Sequence, residues 1–246
     1  MSEGPRKKRV GAKARLLLLL LLAIASGCLA RPYVENLLHR GPVPIGMPTP
    51  RPEGEGWIDL LDAANAPHWK NIGDSLDIFE IEDGILHIHG RTIYPLRYAT
   101  YTAQTFADFD LHLEYKVARR ANSGVFLRAT PNDPVNRGFE VQVLDDFGKR
   151  PSKNGAGAIY DVVTPMYNLS RPAGEWNSLD ITAKGKQISV TLNGWKVIEC
   201  DFAKMTEPIG KFPVAYTNLP LEGNLALQDH GGEVWYRNIL VRPLAP

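Results

Sequence analysis

The sequence predicts an all-β body, a two-sheet antiparallel β-sandwich or jelly roll. Helical periodicity is almost absent from it. Short runs alternating apolar and polar residues recur about a dozen times after residue 56. Glycine-containing turns punctuate those runs, and Asn193-Gly194 is the strongest two-residue hairpin signal among them. Strands with no helix to cover them must bury their apolar faces against one another.

Residues 1–28 precede that body and read as a secretory signal. Arg6, Lys7, Lys8, Arg9, Lys13 and Arg15 form a positive n-region, and an uncharged run follows from Leu16 to Ala25. The run is too short and ends too abruptly for a spanning helix. Its end, "IASGC", resembles a bacterial lipoprotein lipobox, which would make Cys28 the lipidated mature N-terminus. Ala25 stands where that motif prefers leucine, and the other reading is an ordinary signal peptide with an incidental cysteine. Either way the expectation is an exported bacterial envelope protein, anchored to the membrane through lipid in the first case. With Cys28 modified, Cys200 has no partner, so the fold must be held by its core.

Residues 29–56 contain six prolines and four glycines and are expected to form an extended, semi-rigid spacer. The chain has 28 basic and 27 acidic residues; six and one of these lie in residues 1–15, leaving 22 against 26, about −4. That balance gives no footprint for nucleic acid. The body, residues 57–246, is long enough for one domain with a sizeable core.

Within the body, "DIFEIEDGILHIHG" reads as a hairpin around Glu82-Asp83-Gly84, and "FDLHLEYKV" as an alternating strand. "SGVFLRA" and "GFEVQVL" follow, split by the loop "TPNDPVNR". "NSLDITAKGKQISVTLNGWKVIECDF" gives three strands, over 178–182, 187–192 and 195–200, and the chain closes with strands over 225–228 and 234–241. The stretch "KNGAGAIYDVVTPMYNLSRPAGEW" is poor in strand character and is expected to be a functional loop crossing one face.

Period-two parity sorts the polar residues. Phe139, Val141 and Val143 face the core, which turns Glu140 and Gln142 away from it; Leu225 and Leu227 do the same for Gln228 and His230. Arg128 falls on the face opposite Val125 and Leu127. If these strands are neighbours, Arg128, Glu140, Gln142, Gln228 and His230 share one patch.

"NSGVFLRA", "GFEVQVLDD", "GAIYDVV", "PAGEWNSLDITAKGKQISVTLNGWKV" and "LQDHGGEVWYRNILV" together resemble, in order, the 3-keto-disaccharide hydrolase domain family. The resemblance covers about Trp57 to Pro243; the opening "WIDLLDAANAPHW" lacks the "FDGK" turn usual there. It implies a concanavalin-like jelly roll and cleavage of glycosides already oxidised at C3. A C3 ketone acidifies the C2 proton, and the resulting enolate can expel the group on C1. Water adding to the enone completes a hydrolysis; stopping earlier makes a lyase. The site then needs a base, a donor or cation for the enolate oxygen, and an acid for the leaving group.

An imidazole titrates near neutral pH, which makes His230 the candidate base or acid. Arg128 is the candidate for the enolate oxygen, and an ion pair with Glu140 would orient it. Glu140 is the alternative base. Gln142 and Gln228 suit sugar hydroxyls, since an amide both donates and accepts. Tyr160 could offer ring and hydroxyl, and Trp176, beside the long loop, is the tryptophan best placed to line a cleft. Asp145 and Asp146 read as a strand end and turn, and Asp229 as an orienting or capping group. The residues point to no definite cofactor; Glu140, Asp229 and His230 could hold a divalent cation if they converge. The expected partners are a sugar substrate, the membrane through the lipid anchor, and an oxidoreductase supplying the keto sugar. Two other classes stay open: a carbohydrate-binding module without catalysis, and a conventional retaining glycosidase, which would need two acids about 5 Å apart.

Overall fold

The structure is a computed structural model that describes residues 46–72, 76–92, 94–210 and 212–245. The expected signal peptide, Cys28 and the first part of the Pro-rich segment lie outside those residues. The described residues form thirteen strands and no α-helix; the helical turns at Ala66–His68, Phe202–Lys204 and Tyr216–Asn218 are 3-10.

Two antiparallel sheets face each other. The larger is eight-stranded. It contains β1 (Ile58–Asp59), β3 (Phe79–Glu82), β4 (Ile85–Ile88), β6 (Phe109–Val117), β9 (Trp176–Lys184), β10 (Gln187–Leu192), β11 (Trp195–Asp201) and β13 (Val234–Pro243). Its order is β11-β10-β9-β6-β13-β4-β3, with β1 also pairing with β13. The second, five-stranded sheet runs β2-β5-β12-β7-β8. Its strands are β2 (Trp69–Asn71), β5 (Arg97–Tyr101), β7 (Asn122–Ala129), β8 (Phe139–Leu144) and β12 (Asn224–Asp229). The all-β two-sheet architecture is the one the sequence predicts. Strands β2 and β5 escape the sequence pattern because they are short and, in "RYATY", almost wholly buried rather than alternating.

The core lies between the inner faces. Phe109, Leu111, Leu113, Tyr115 and Val117 of β6 pack in one cluster with Val125 and Leu127 of β7, Val141 and Val143 of β8, and Leu225 and Leu227 of β12. Ser123 ties the layers together: its hydroxyl lies 2.6 Å from the Gln228 carbonyl and 2.8 Å from the buried Tyr236 hydroxyl.

The end of the Pro-rich segment is docked along the larger sheet, where sequence alone predicts a free spacer up to residue 56. Pro48, Pro50 and Pro52 lack an N–H, so the donors belong to the residues between them. Met47 N–H donates to Asn193 O at 2.9 Å, and Thr49 N–H to Ser178 Oγ at 2.7 Å. Thr49 Oγ1 donates to Asp180 Oδ2 at 2.7 Å, and Asp180 Oδ1 lies 2.6 Å from Nδ1 of the buried His112. The outer face of β6 and β9 carries polar side chains that need partners, and this strap supplies them.

The predicted loop at 153–176 has strand-like bonding at one point. Gln142 N–H donates to Ala158 O, Gly157 N–H to Gln142 O and Tyr160 N–H to Glu140 O, at 3.0, 2.9 and 3.0 Å. The loop thereby satisfies the outer edge of β8, which is otherwise unpaired in the sheet.

Candidate active site

A hollow opens on the outer face of the five-stranded sheet, at β7, β8 and β12. It is lined by Leu96, Asn122, Val135, Glu140, Gln142, Tyr160, Phe212, Gln228 and His230. The parity argument works here because β7 lies between β8 and β12. Glu140 and Gln142 come from β8, Gln228 from β12, and His230 from the turn after β12; Tyr160 is placed by its backbone bond to Glu140.

Gly124 makes room for the carboxylate. A Cβ built there would stand 2.1 Å from Glu140 Oε1, so the Glu140 side chain lies over the glycine of the neighbouring strand. Glu140 is 8% exposed and is the one carboxylate lining the hollow among the described residues.

A chain of amides leads to the imidazole. Gln142 Nε2 donates to Asn122 Oδ1 at 2.8 Å, and Asn122 Nδ2 donates to His230 Nδ1 at 2.8 Å. Since Nδ1 accepts, the neutral imidazole carries its proton on Nε2. Asn122 is a site residue the sequence reading missed. It lies two residues before Gly124 on the same face of β7, so parity alone could have found it. The turn itself is pinned: Asn122 N–H donates to Gly231 O at 3.0 Å.

Two acceptors in this wall have no partner. Gln142 Oε1 and Gln228 Oε1 are buried without a hydrogen bond among the described residues; the Tyr98 hydroxyl faces Gln228 across the β5–β12 ladder and is in contact with its side-chain amide. Burial pushes the Tyr98 hydroxyl well above the usual phenol range, so it is a neutral donor at any working pH.

Three expected members are elsewhere. Arg128 sits at φ 49°, in a left-handed conformation at the β7–β12 register shift, and this bulge overrides its parity. Its guanidinium is 2% exposed; Nε and Nη1 donate to Ala107 O and Gly185 O at 2.8 and 2.6 Å, and Nη2 lies 3.1 Å from Asp108. It ties sheet ends together and makes no ion pair with Glu140. Trp176 belongs to the larger sheet, with the Arg237 guanidinium 4.1 Å from its ring centroid, far from the hollow in topology. Asp229 is fully buried on the core side, accepting from Arg91 N–H at 3.1 Å and from the Thr92 hydroxyl at 3.2 Å. Glu140, Asp229 and His230 therefore do not converge as metal ligands. Asp145 accepts from Arg120 N–H at 2.7 Å, and the buried Asp146 from Ala156 N–H at 3.0 Å, as a strand end and turn would.

The chain belongs to the family of 3-keto-alpha-glucoside-1,2-lyase-like domains, which matches residues 56–242. It is 26% identical over 233 residues to a 3-keto-disaccharide hydrolase of Bacteroides thetaiotaomicron, covering 78% of this chain and 80% of that one. A crystal structure from Parabacteroides distasonis, provisionally described as a glycosyl hydrolase, superposes with a TM-score of 0.66 at 28% identity, over 76% of this chain and 99% of that one. A Bacillus subtilis protein described as galectin-like in fold shares the architecture at a TM-score of 0.52 and 13% identity, over 78% of this chain and 97% of that one.

Proposed function

We propose that this protein cleaves 3-keto-glycosides by removing the C2 proton and eliminating the group on C1. The observation that carries the proposal is one hollow holding a single carboxylate, an imidazole of fixed tautomer and two buried unpaired amide oxygens. The orphan oxygens of Gln142 and Gln228 suit sugar hydroxyl donors, which would remove their desolvation cost on binding. Family membership and the hydrolase name of the Bacteroides relative support the substrate class.

Glu140 takes the C2 proton. The C–H pair becomes the C2–C3 double bond of an enolate, with negative charge on the C3 oxygen. The His230 Nε2–H donates to that oxygen, a role the displaced Arg128 does not fill. The enolate then collapses: the C3 carbonyl reforms, a C1–C2 double bond forms, and the C1–O bond breaks with its pair leaving on the aglycone oxygen. The Tyr160 hydroxyl protonates that oxygen; water then adds at C1, giving its proton to the Tyr160 oxygen while Glu140 returns its proton to C2, which completes the hydrolysis and restores both groups. A retaining glycosidase would need a second carboxylate about 5 Å from the first, and no other described carboxylate lines the hollow.

The test is incubation of the protein with 3-keto-trehalose and with trehalose in deuterated water. Cleavage of the keto sugar alone, with deuterium at C2 of recovered substrate, is expected; Glu140→Gln should abolish both. Cleavage of trehalose itself, or trapping of a glycosyl-enzyme, overturns the mechanism.

A further inference from the structure

The outer face of the larger sheet carries a histidine cluster that the proposed reaction does not use. Glu80 of β3 is paired directly with His87 of β4, and His89 follows two residues later on the same face. His87 Nδ1 lies 3.2 Å and His89 Nε2 3.8 Å from one oxygen, Glu80 Oε1, and the three residues each offer a ligand atom within 4.8 Å of the others. Bonds of 2.0–2.2 Å to nitrogen and oxygen place neighbouring ligand atoms about 3–3.5 Å apart, so the spacing fits one ion with small side-chain adjustment.

The surroundings favour ligation over a plain ion pair. A contact of 3.8 Å is too long for a hydrogen bond, so His89 gains little from Glu80 unless something lies between them. His87 is stacked on Trp235, ring centroids 4.7 Å apart at 11°, which fixes the imidazole plane. Its far nitrogen, Nε2, makes no hydrogen bond among the described residues but stands 3.2 Å from Glu233 Oε1. A ligating Nδ1 requires the proton on Nε2, and a small turn of the exposed Glu233 side chain would bring its carboxylate into the position of the usual outer partner of a metal-bound histidine.

We propose that Glu80, His87 and His89 form a binding site for a divalent transition-metal ion of the Zn2+ class. Two imidazoles and one carboxylate suit Zn2+, Ni2+ or Cu2+ and not the oxygen-seeking Ca2+ or Mg2+. The exposed side of the cluster leaves the remaining positions to water. The ion would clamp the β3–β4 hairpin and, through Glu233, the start of β13. It lies on the other sheet from the hollow and acts independently of the reaction.

The test is calorimetric titration of the untagged full chain with Zn2+, with Mg2+ and Ca2+ as comparators. One equivalent of Zn2+ is expected to bind and raise the unfolding temperature, with no competition from Mg2+ or Ca2+. His89→Ala and the solvent-side Glu80→Gln should each weaken binding at least tenfold, while His230→Ala and Glu82→Gln leave it unchanged. No saturable binding, binding indifferent to Glu80→Gln and His89→Ala, or binding lost in His230→Ala would overturn the site.

Discussion

Asn122 decides what His230 can do. Its amide donates to Nδ1, which places the imidazole proton on Nε2, the donor that the proposed reaction needs. Asn122→Asp replaces that donor by an acceptor and draws the proton to Nδ1. The expected result is a fall in kcat of about 10²–10³-fold with little change in unfolding temperature, as when one donor to a developing oxyanion is lost; steady-state rates beside a melting curve check it. Arg128 argues the reverse case. Arg128→Met removes donors from two carbonyls and a cation from Asp108, so it should destabilise by about 2–4 kcal/mol while the folded fraction keeps its activity. Denaturant titration and specific activity separate the two. The sequence made Glu140, Gln142, Gln228 and His230 legible because their strands keep strict alternation. Arg128 was misread because φ 49° is a backbone fact that a side-chain pattern does not record.

At the scale of elements, hairpin signals were reliable in place and incomplete in meaning. Asn193-Gly194 turns β10 into β11 with both residues at positive φ, as an Asn-Gly turn should. Yet the Asn193 side chain is also fully buried. It donates to Leu169 O and Asn177 Oδ1 at 2.7 and 2.8 Å, and accepts from Ser178 N–H at 2.8 Å. Turn chemistry alone makes Asn193→Gly neutral, because glycine adopts that φ freely. The packing makes it costly, by about 2–4 kcal/mol, since Ser178 N–H and the Leu169 carbonyl lose their partner, while Asn177 Oδ1 keeps Arg171 N–H. A shift in the denaturant midpoint with unchanged slope is the expected signature. The tryptophans show the same limit from another side: Trp176 stands next to the long loop in sequence, but β9 belongs to the sheet that the hollow does not touch. Adjacency along the chain carried no information about which sheet a strand joins.

For the whole molecule, the polar groups buried in and beside the core set its limits. Tyr98, Tyr115, Tyr216 and Tyr236 are held well above the usual phenol range by burial. The unfolded chain therefore loses these protons first as pH rises, and the fold binds more of them. Stability is full below the ordinary phenol value near 10 and falls above it; a melting temperature that drops from pH 9 to 11 is the expected outcome. The strap from Gly46 to Pro52 extends this logic to the domain boundary. Composition marks it as linker, yet its alternate N–H groups and Thr49 hydroxyl are spent on Asn193, Ser178 and Asp180. A chain beginning at Glu53 leaves Ser178 Oγ and the His112–Asp180 pair without those partners. Compared with a chain beginning at Gly46, it should lose about 2–4 kcal/mol and several degrees in melting temperature. Thr49→Val should lose a fraction of that, because only the hydroxyl bond goes. Equal stability of the two truncations would mean that the strap rests on the sheet without holding it. The fold would then begin at β1, where the composition alone places it.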